Sequence, residues 1–191
     1  NQTTLANRKI LVYIGNMGIA QNIDILFELA NTLLPCQEIG FLFVGRGSEV
    51  ERLKKKKSNA GLNNVLFYEE IDRDEIPGLL KQCFIGLLTL NPLHKTHNIP
   101  GKLLSYLLAG LPVLASINPN TDLAPLISDN QVGYADSENS IDAMKHFVED
   151  LLNNTDKYNE FSMNGKKLAN TLFSTDDKVK QIMRILEKSE H

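Results

Sequence analysis

Lys102 lies in a segment, Asn98 to Ser116 (NIPGKLLSYLLAGLPVLAS), whose residue types could hold an anion. Pro100 suits the first turn of a helix, where its missing N–H would be unbonded anyway. Leu103, Leu104, Leu107 and Leu108 recur at helical spacing. Gly110 then stops the helix, Pro112 prevents its continuation, and Val113 to Ala115 start a strand. A helix that begins in a polar loop presents free N–H groups and the positive end of its dipole. A cation in that first turn is badly placed unless a negative ligand shares the site. A surface lysine beside a helix start is the competing reading.

Two further loops carry the same signal. Gly15-Asn16-Met17-Gly18-Ile19-Ala20-Gln21-Asn22 follows one apolar run, and Gly45-Arg46-Gly47-Ser48 follows another. Glycines let a backbone approach a ligand closely, and Arg46 adds a charge. Neither loop has the Gly-x-Gly-x-x-Gly spacing of a dinucleotide fingerprint, nor the Gly-Lys-Ser/Thr of a P-loop. A glycine or a base at three strand ends favours a phosphate-bearing ligand over three unrelated turns.

The elements that must position these loops alternate regularly. Apolar runs at Ile10 to Ile14, Ile39 to Val44, Val65 to Tyr68, Phe84 to Leu90, Val113 to Ala115 and Val132 to Ala135 read as buried strands. Between them the spacing predicts helices from Ile23 to Leu33, Glu49 to Lys57 and Asp72 to Gln82, the segment holding Lys102, and a turn or two from Asp122 to Ile127. Asp72 with Glu75 would cap the third of these, which Pro77-Gly78 shortens or bends. From Ser140 onward the pattern is helical only: Ser140 to Leu152, Tyr158 to Phe173 and Asp176 to Lys188. Strands alternating with helices give an α/β fold, a doubly wound parallel sheet, with extra C-terminal helices. Ligands in such folds sit outside the carboxyl ends of the strands, where all three loops lie.

Composition narrows the function classes. The chain has 191 residues, of which 42% are hydrophobic and 23% charged, and its net charge is -3. That is an ordinary globular composition for a single domain, 1–191, with no basic face to suit nucleic acid. Only Cys36 and Cys83 are present, so a disulfide framework is not expected and a cytoplasmic setting is. No apolar run approaches the roughly 20 residues that span a bilayer. The chain begins with Asn, as expected of a piece cut from a longer protein.

Four segments together resemble a known family: Leu11 to Asp24 (LVYIGNMGIAQNID), Phe41 to Leu53 (FLFVGRGSEVERL), Leu62 to Leu90, and the Pro-x-Lys then Ala-Gly-x-Pro-Val pattern around Lys102. From about residue 8 to about residue 188 the chain is similar to the C-terminal half of a GT-B retaining glycosyltransferase, family 4 or group 1, in the branch that builds bacterial surface polysaccharides and lipopolysaccharide. The resemblance implies a Rossmann-like donor domain that binds a nucleotide-sugar, uridine-linked, with the acceptor half absent. It implies that Gly15, Asn16, Met17 and Gly18 wrap the donor diphosphate, that Lys102 meets phosphate, and that the nucleobase lies against Tyr68 to Ile71. No catalytic nucleophile is identified, and transfer would rest on positioning and on stabilising the departing phosphate. No cofactor or metal is implied, because the nucleotide-sugar is itself a substrate. A peripheral membrane contact at the inner face, through the missing half, is a further expectation. This piece alone would be inactive.

The departures from the family pattern are specific. The family's two glutamates, eight positions apart, fall on His97 and Ser105 here, and Ser105 could still bond a ribose hydroxyl. The basic pair near the first loop is replaced by Asn16 and by Gln21 or Asn22. Lys102 and Arg46 would then supply the charge. His94 and His97 lack the Cys or acidic partners of a metal site, and His97 could instead bond sugar hydroxyls. Lys54 to Lys57 reads as the solvated end of a helix, Glu69-Glu70 as nucleobase edge or surface, Asp122 as a cap, and Cys83 as a small core residue. A GT-B-type epimerase and a non-catalytic nucleotide-binding module remain as alternatives.

Overall fold

The computed structural model describes residues 4–90, 100–118 and 121–173. Six strands form one sheet: β1 (Lys9–Ile14), β2 (Ile39–Val44), β3 (Val65–Tyr68), β4 (Ile85–Thr89), β5 (Val113–Ser116) and β6 (Gly133–Asp136). Their spatial order is β3-β2-β1-β4-β5-β6, and every pairing is parallel. The order reverses between β1 and β4, so the crevice expected of a doubly wound sheet opens there.

Among the described residues seven helices cover the sheet: α1 (Asp24–Thr32), α2 (Val50–Asn59), α3 (Ile76–Leu80), α4 (Gly101–Ala109), α5 (Leu123–Asp129), α6 (Ile141–Asn153) and α7 (Thr155–Phe173). One core layer joins Leu11, Tyr13, Phe41 and Phe43 to α1 and α6, and the other joins Val12, Ile14, Leu88 and Val113 to α4 and α5. Alternate residues of β1 thus enter opposite layers, which is why its sequence reads as an unbroken apolar run. No described helix is long and apolar enough to cross a membrane.

Several boundaries differ from expectation for local reasons. The helix expected from Asp72 to Gln82 is reduced to α3, because Pro77 fits only the start of a helix. Asp72 does not cap it. Its N–H instead donates to Glu75 Oε2 at 3.3 Å and its carbonyl accepts from Glu75 N at 3.0 Å, forming a turn. Asp122 occupies the residue before α5, but its side chain makes no capping bond. Ser140 does cap α6, accepting from Ala143 N at 3.3 Å. Helix α7 starts three residues earlier than the apolar spacing suggests, where Asn154 Oδ1 accepts from Lys157 N at 3.0 Å. Cys83 is buried as expected. The helix expected from Asp176 to Lys188, with His94 and His97, lies outside the described residues.

Candidate functional site

Pairing between β1 and β4 is confined to Leu11↔Ile85 and Val12↔Gly86. Beyond it, Tyr106 of α4 fills the gap. Its hydroxyl accepts from Ile14 N at 3.1 Å and donates to Leu87 O at 3.0 Å. One fully buried phenol thereby replaces a missing rung of the sheet and fixes α4 against it. Lys102 precedes Tyr106 by four residues, one helical turn, so this anchor also places the lysine at the mouth of the crevice.

Lys102 is half-buried, and its ammonium lies 3.9 Å from the centre of the Tyr13 ring. A Cβ built on Gly15 would stand 3.8 Å from both Lys102 Cε and Nζ, so the lysine stem crosses directly over the end of β1. Burial pushes the Lys102 pKa down to about 8 from its ordinary 10.5. Leu103 N donates to Pro100 O at 2.9 Å, which leaves the Gly101 and Lys102 amides at the start of α4 without an acceptor within the helix. A cavity of about 720 Å³ runs between α3 and α4, with Gly15, Lys102 and Ser105 in its wall. Among the described residues three cations line it, Arg73, Lys81 and Lys102, and no carboxylate does. The sequence explains why: there is no Asp or Glu anywhere between Glu75 and Asp122.

The structure therefore places Gly15, Lys102 and Ser105 on one cavity, which Arg46, Tyr68 and Ile71 do not line. Met17 turns into the core. Its side chain is fully buried, its N–H donates to Arg46 O at 2.7 Å, and its carbonyl accepts from Glu49 N at 3.0 Å. Gln21 folds back onto its own loop, where Oε1 accepts from Gly18 N at 3.1 Å and Asn16 Nδ2 at 3.3 Å. Gly15 N is bonded to Val44 O at 2.9 Å. Of the amides from Gly15 to Gly18, that leaves only the one on Asn16 without a partner among the described residues. A loop wrapping a diphosphate with many amides is not what is seen.

The glycines of the second loop answer to the first loop. A Cβ on Gly45 would fall 2.2 Å from Gly15 O, and one on Gly47 would fall 2.3 Å from Met17 O. Arg46 points away into an exposed ion pair with Glu70 at 3.1 Å. Tyr68 and Ile71 line a separate hollow of about 480 Å³ with Glu69, Glu70, Asp72 and Glu75, a lining that repels an anion. Helix α1 does not offer its N-terminus to a ligand either, because a 3-10 turn (Ile19–Gln21) intervenes. Its first turn carries Asp24, bonded to Arg52 at 3.1 Å and to Lys56 at 2.6 Å. Lys56 is thus an ion-pair partner and not simply part of a solvated helix end. No group of three or more metal-ligating side chains occurs among the described residues.

Tyr13 and Tyr106 are functional neighbours that sequence reasoning missed. Tyr13 reads as one more apolar residue of a strand, and Tyr106 as one more member of a leucine stripe. The available signal was that both are hydroxyl-bearing residues in positions predicted to be buried, which therefore need hydrogen-bond partners.

The model of the family described as glycosyl transferases group 1 matches residues 1–168. The chain belongs to this family. It is 30% identical over 120 residues to a putative colanic acid biosynthesis glycosyl transferase, WcaI, of Escherichia coli (strain K12), covering 63% of this chain and 29% of that one. The Anabaena protein HepE, solved in complex with UDP-glucose, superposes with a TM-score of 0.79 at 18% identity, over 96% of this chain and 50% of that one. The C-terminal domain of a group 1 family protein, LpcC, from Francisella tularensis gives a TM-score of 0.69 at 18% identity, over 87% of each chain. The fold expected from the resemblance, a Rossmann-like half of a GT-B enzyme, is the fold found. The chain spans less than half the length of the curated relatives it matches.

Proposed function

We propose that this chain is the donor-binding half of a glycosyltransferase that acts in the making of a surface polysaccharide, and that it holds the diphosphate of a UDP-linked sugar at the start of α4. The observation that carries this reading is the Lys102 ammonium beside Gly15, at a helix N-terminus, in a cavity whose described lining holds three cations and no carboxylate. Family membership supplies the reaction class, and HepE, a relative by fold, was solved with UDP-glucose. The match to an isolated C-terminal domain over 87% of each chain supports the reading of a half enzyme.

In this reading the donor phosphates meet Lys102 and the Gly101 and Lys102 amides at the start of α4, and Ser105, on the same wall of the cavity, faces the ribose. As the bond from sugar to phosphate breaks, negative charge grows on the departing diphosphate. A fixed cation and a helix dipole stabilise that charge without reorganising. The acceptor comes from the other half of the enzyme. No cofactor is needed, since the nucleotide-sugar is the substrate, and this chain alone turns nothing over.

Calorimetric titration of UDP into wild type and Lys102→Ala tests the reading. A lysine–phosphate bond contributes on the order of 1.5–3 kcal/mol. The variant should bind roughly ten- to a hundredfold more weakly. Equal affinities in the two proteins would remove the phosphate role.

A further inference from the structure

Tyr13 is the only aromatic residue of β1, and its surroundings give its ring and its hydroxyl separate tasks. The ring is fully buried and braced from behind by Phe43, at a centroid distance of 6.0 Å, which in turn packs on Phe27 at 5.3 Å. The ring also carries the Lys102 ammonium, 3.9 Å from its centre, within the range of a strong cation–π contact. The hydroxyl donates to the carbonyl of Asn16 at 2.8 Å, in the middle of the glycine loop. Tyr13 belongs to the core layer beneath α1, whereas α4 packs in the other layer. The lysine therefore leaves its own layer, passes over the end of β1 where Gly15 has no side chain to block it, and rests on a ring of the opposite layer.

We propose that Tyr13 is the positioning residue of the anion site, its face holding the Lys102 ammonium in place and its hydroxyl holding the glycine loop to the same strand. The inference rests on the reading of Lys102 as the phosphate-binding group. Among the described residues Lys102 has no carboxylate partner, and the charged groups facing it across the cavity are Arg73 and Lys81, both repulsive. Without the ring an ammonium with only cations for company would turn out to solvent. With the ring it is held, partly desolvated, where an incoming phosphate can take it up.

Two variants separate the two tasks. Tyr13→Phe keeps the face and removes the hydroxyl, and Tyr13→Leu removes the face. Two readings are taken on each: UDP affinity by calorimetry, and the Lys102 titration in the ligand-free protein by NMR of its side-chain carbons. Tyr13→Phe should leave the titration where it is in wild type and weaken UDP by no more than about threefold. Tyr13→Leu should move the titration upward by at least about one pH unit, toward that of an ordinary lysine, and weaken UDP by about tenfold. A Lys102 titration unchanged by Tyr13→Leu would overturn the proposal, as would unchanged UDP affinity. If Tyr13→Leu does not fold, wild type decides: a ring-current shift on the Lys102 Hε protons is expected, and its absence overturns the proposal. A wild type that fails to bind UDP would defeat the functional reading, while the ring-current shift and the titration still report on Tyr13.

Discussion

Tyr106 occupies the space that a side chain at residue 86 would need: a Cβ built on Gly86 would lie 2.4 Å from the Tyr106 ring. The two positions are 20 apart in sequence, yet one is glycine because the other is a tyrosine bonded at both ends of its hydroxyl. Gly86→Ala should destabilise the chain by about 1–3 kcal/mol, the usual cost of overpacking a tight core. Adding Tyr106→Leu should recover part of that loss, so the double variant is more stable than the sum of the two single changes predicts. Urea unfolding of the four proteins measures the coupling, and simple additivity would contradict the relationship.

UDP affinity should fall as pH rises past about 8, because the buried Lys102 loses its proton there and not near 10.5. A bound phosphate favours the charged form, so binding above that pH takes up a proton. Titrations in buffers of different ionisation heat detect the uptake. Lys102→Arg, whose charge does not titrate in this range, should bind with a flat pH profile.

Ligand-free stability should move the other way. The folded Lys102 pKa is about 8 and the ordinary value is 10.5, so between them the unfolded chain holds more protons than the folded one. Stability then increases as pH climbs through that window. The increase should vanish in Lys102→Met, as judged by thermal unfolding from pH 7.5 to 10 at constant ionic strength.

Asp24 should contribute at neutral pH through Arg52 and Lys56. The hydrogen bond from Arg52 is the largest cause that holds its carboxyl at about 2, below the ordinary 3.8. That contribution is fully present above the ordinary value and is lost as pH falls toward 2. The pairs are partly exposed, so Asp24→Asn should cost only about 1 kcal/mol at pH 7. The gap between wild type and variant in urea midpoint should narrow at pH 3, and a constant gap would contradict the assignment.

Gly45→Ala should loosen the first two loops together. The glycine has φ +137, and a Cβ there would strike Gly15 O. Hydrogen exchange of the Met17 amide, which is bonded to Arg46 O, should accelerate along with that of Glu49. Protection unchanged at both amides would show that the loops are not coupled.

The strands were legible because most are buried on both faces. Ile39 to Val44 and Val65 to Tyr68 are continuous apolar runs, and both match the observed bounds. Helix boundaries near Pro77 and Asn154 were less so, since a turn and a helix start share residue types. Gly15 and Lys102 could be tied together from sequence because strand ends converge at one edge of a parallel sheet, whereas Ser105 was named only through the family resemblance. The roles of Gly45, Gly47, Met17 and Gln21 could not. A glycine required by a neighbouring carbonyl and a glycine required by a ligand look alike in sequence, and only the packing separates them. Arg46 pairs with Glu70, a side-chain direction that spacing does not encode.

The interlock of the first two loops has a mechanical consequence. With Gly45 seated against Gly15, Met17 bonded to both Arg46 and Glu49, and Gln21 closing the loop on itself, that rim of the crevice has no slack. The opposing element is one ammonium on a four-carbon stem, resting on a ring. Any ligand that enters would meet a stationary backbone anvil on the β1 side and, above it, a charge that the Tyr13 ring already holds. Docking would then need neither a backbone rearrangement nor a search among lysine rotamers. On the proposed function, capture should be limited by encounter, with any slow closing step lying outside the residues described above.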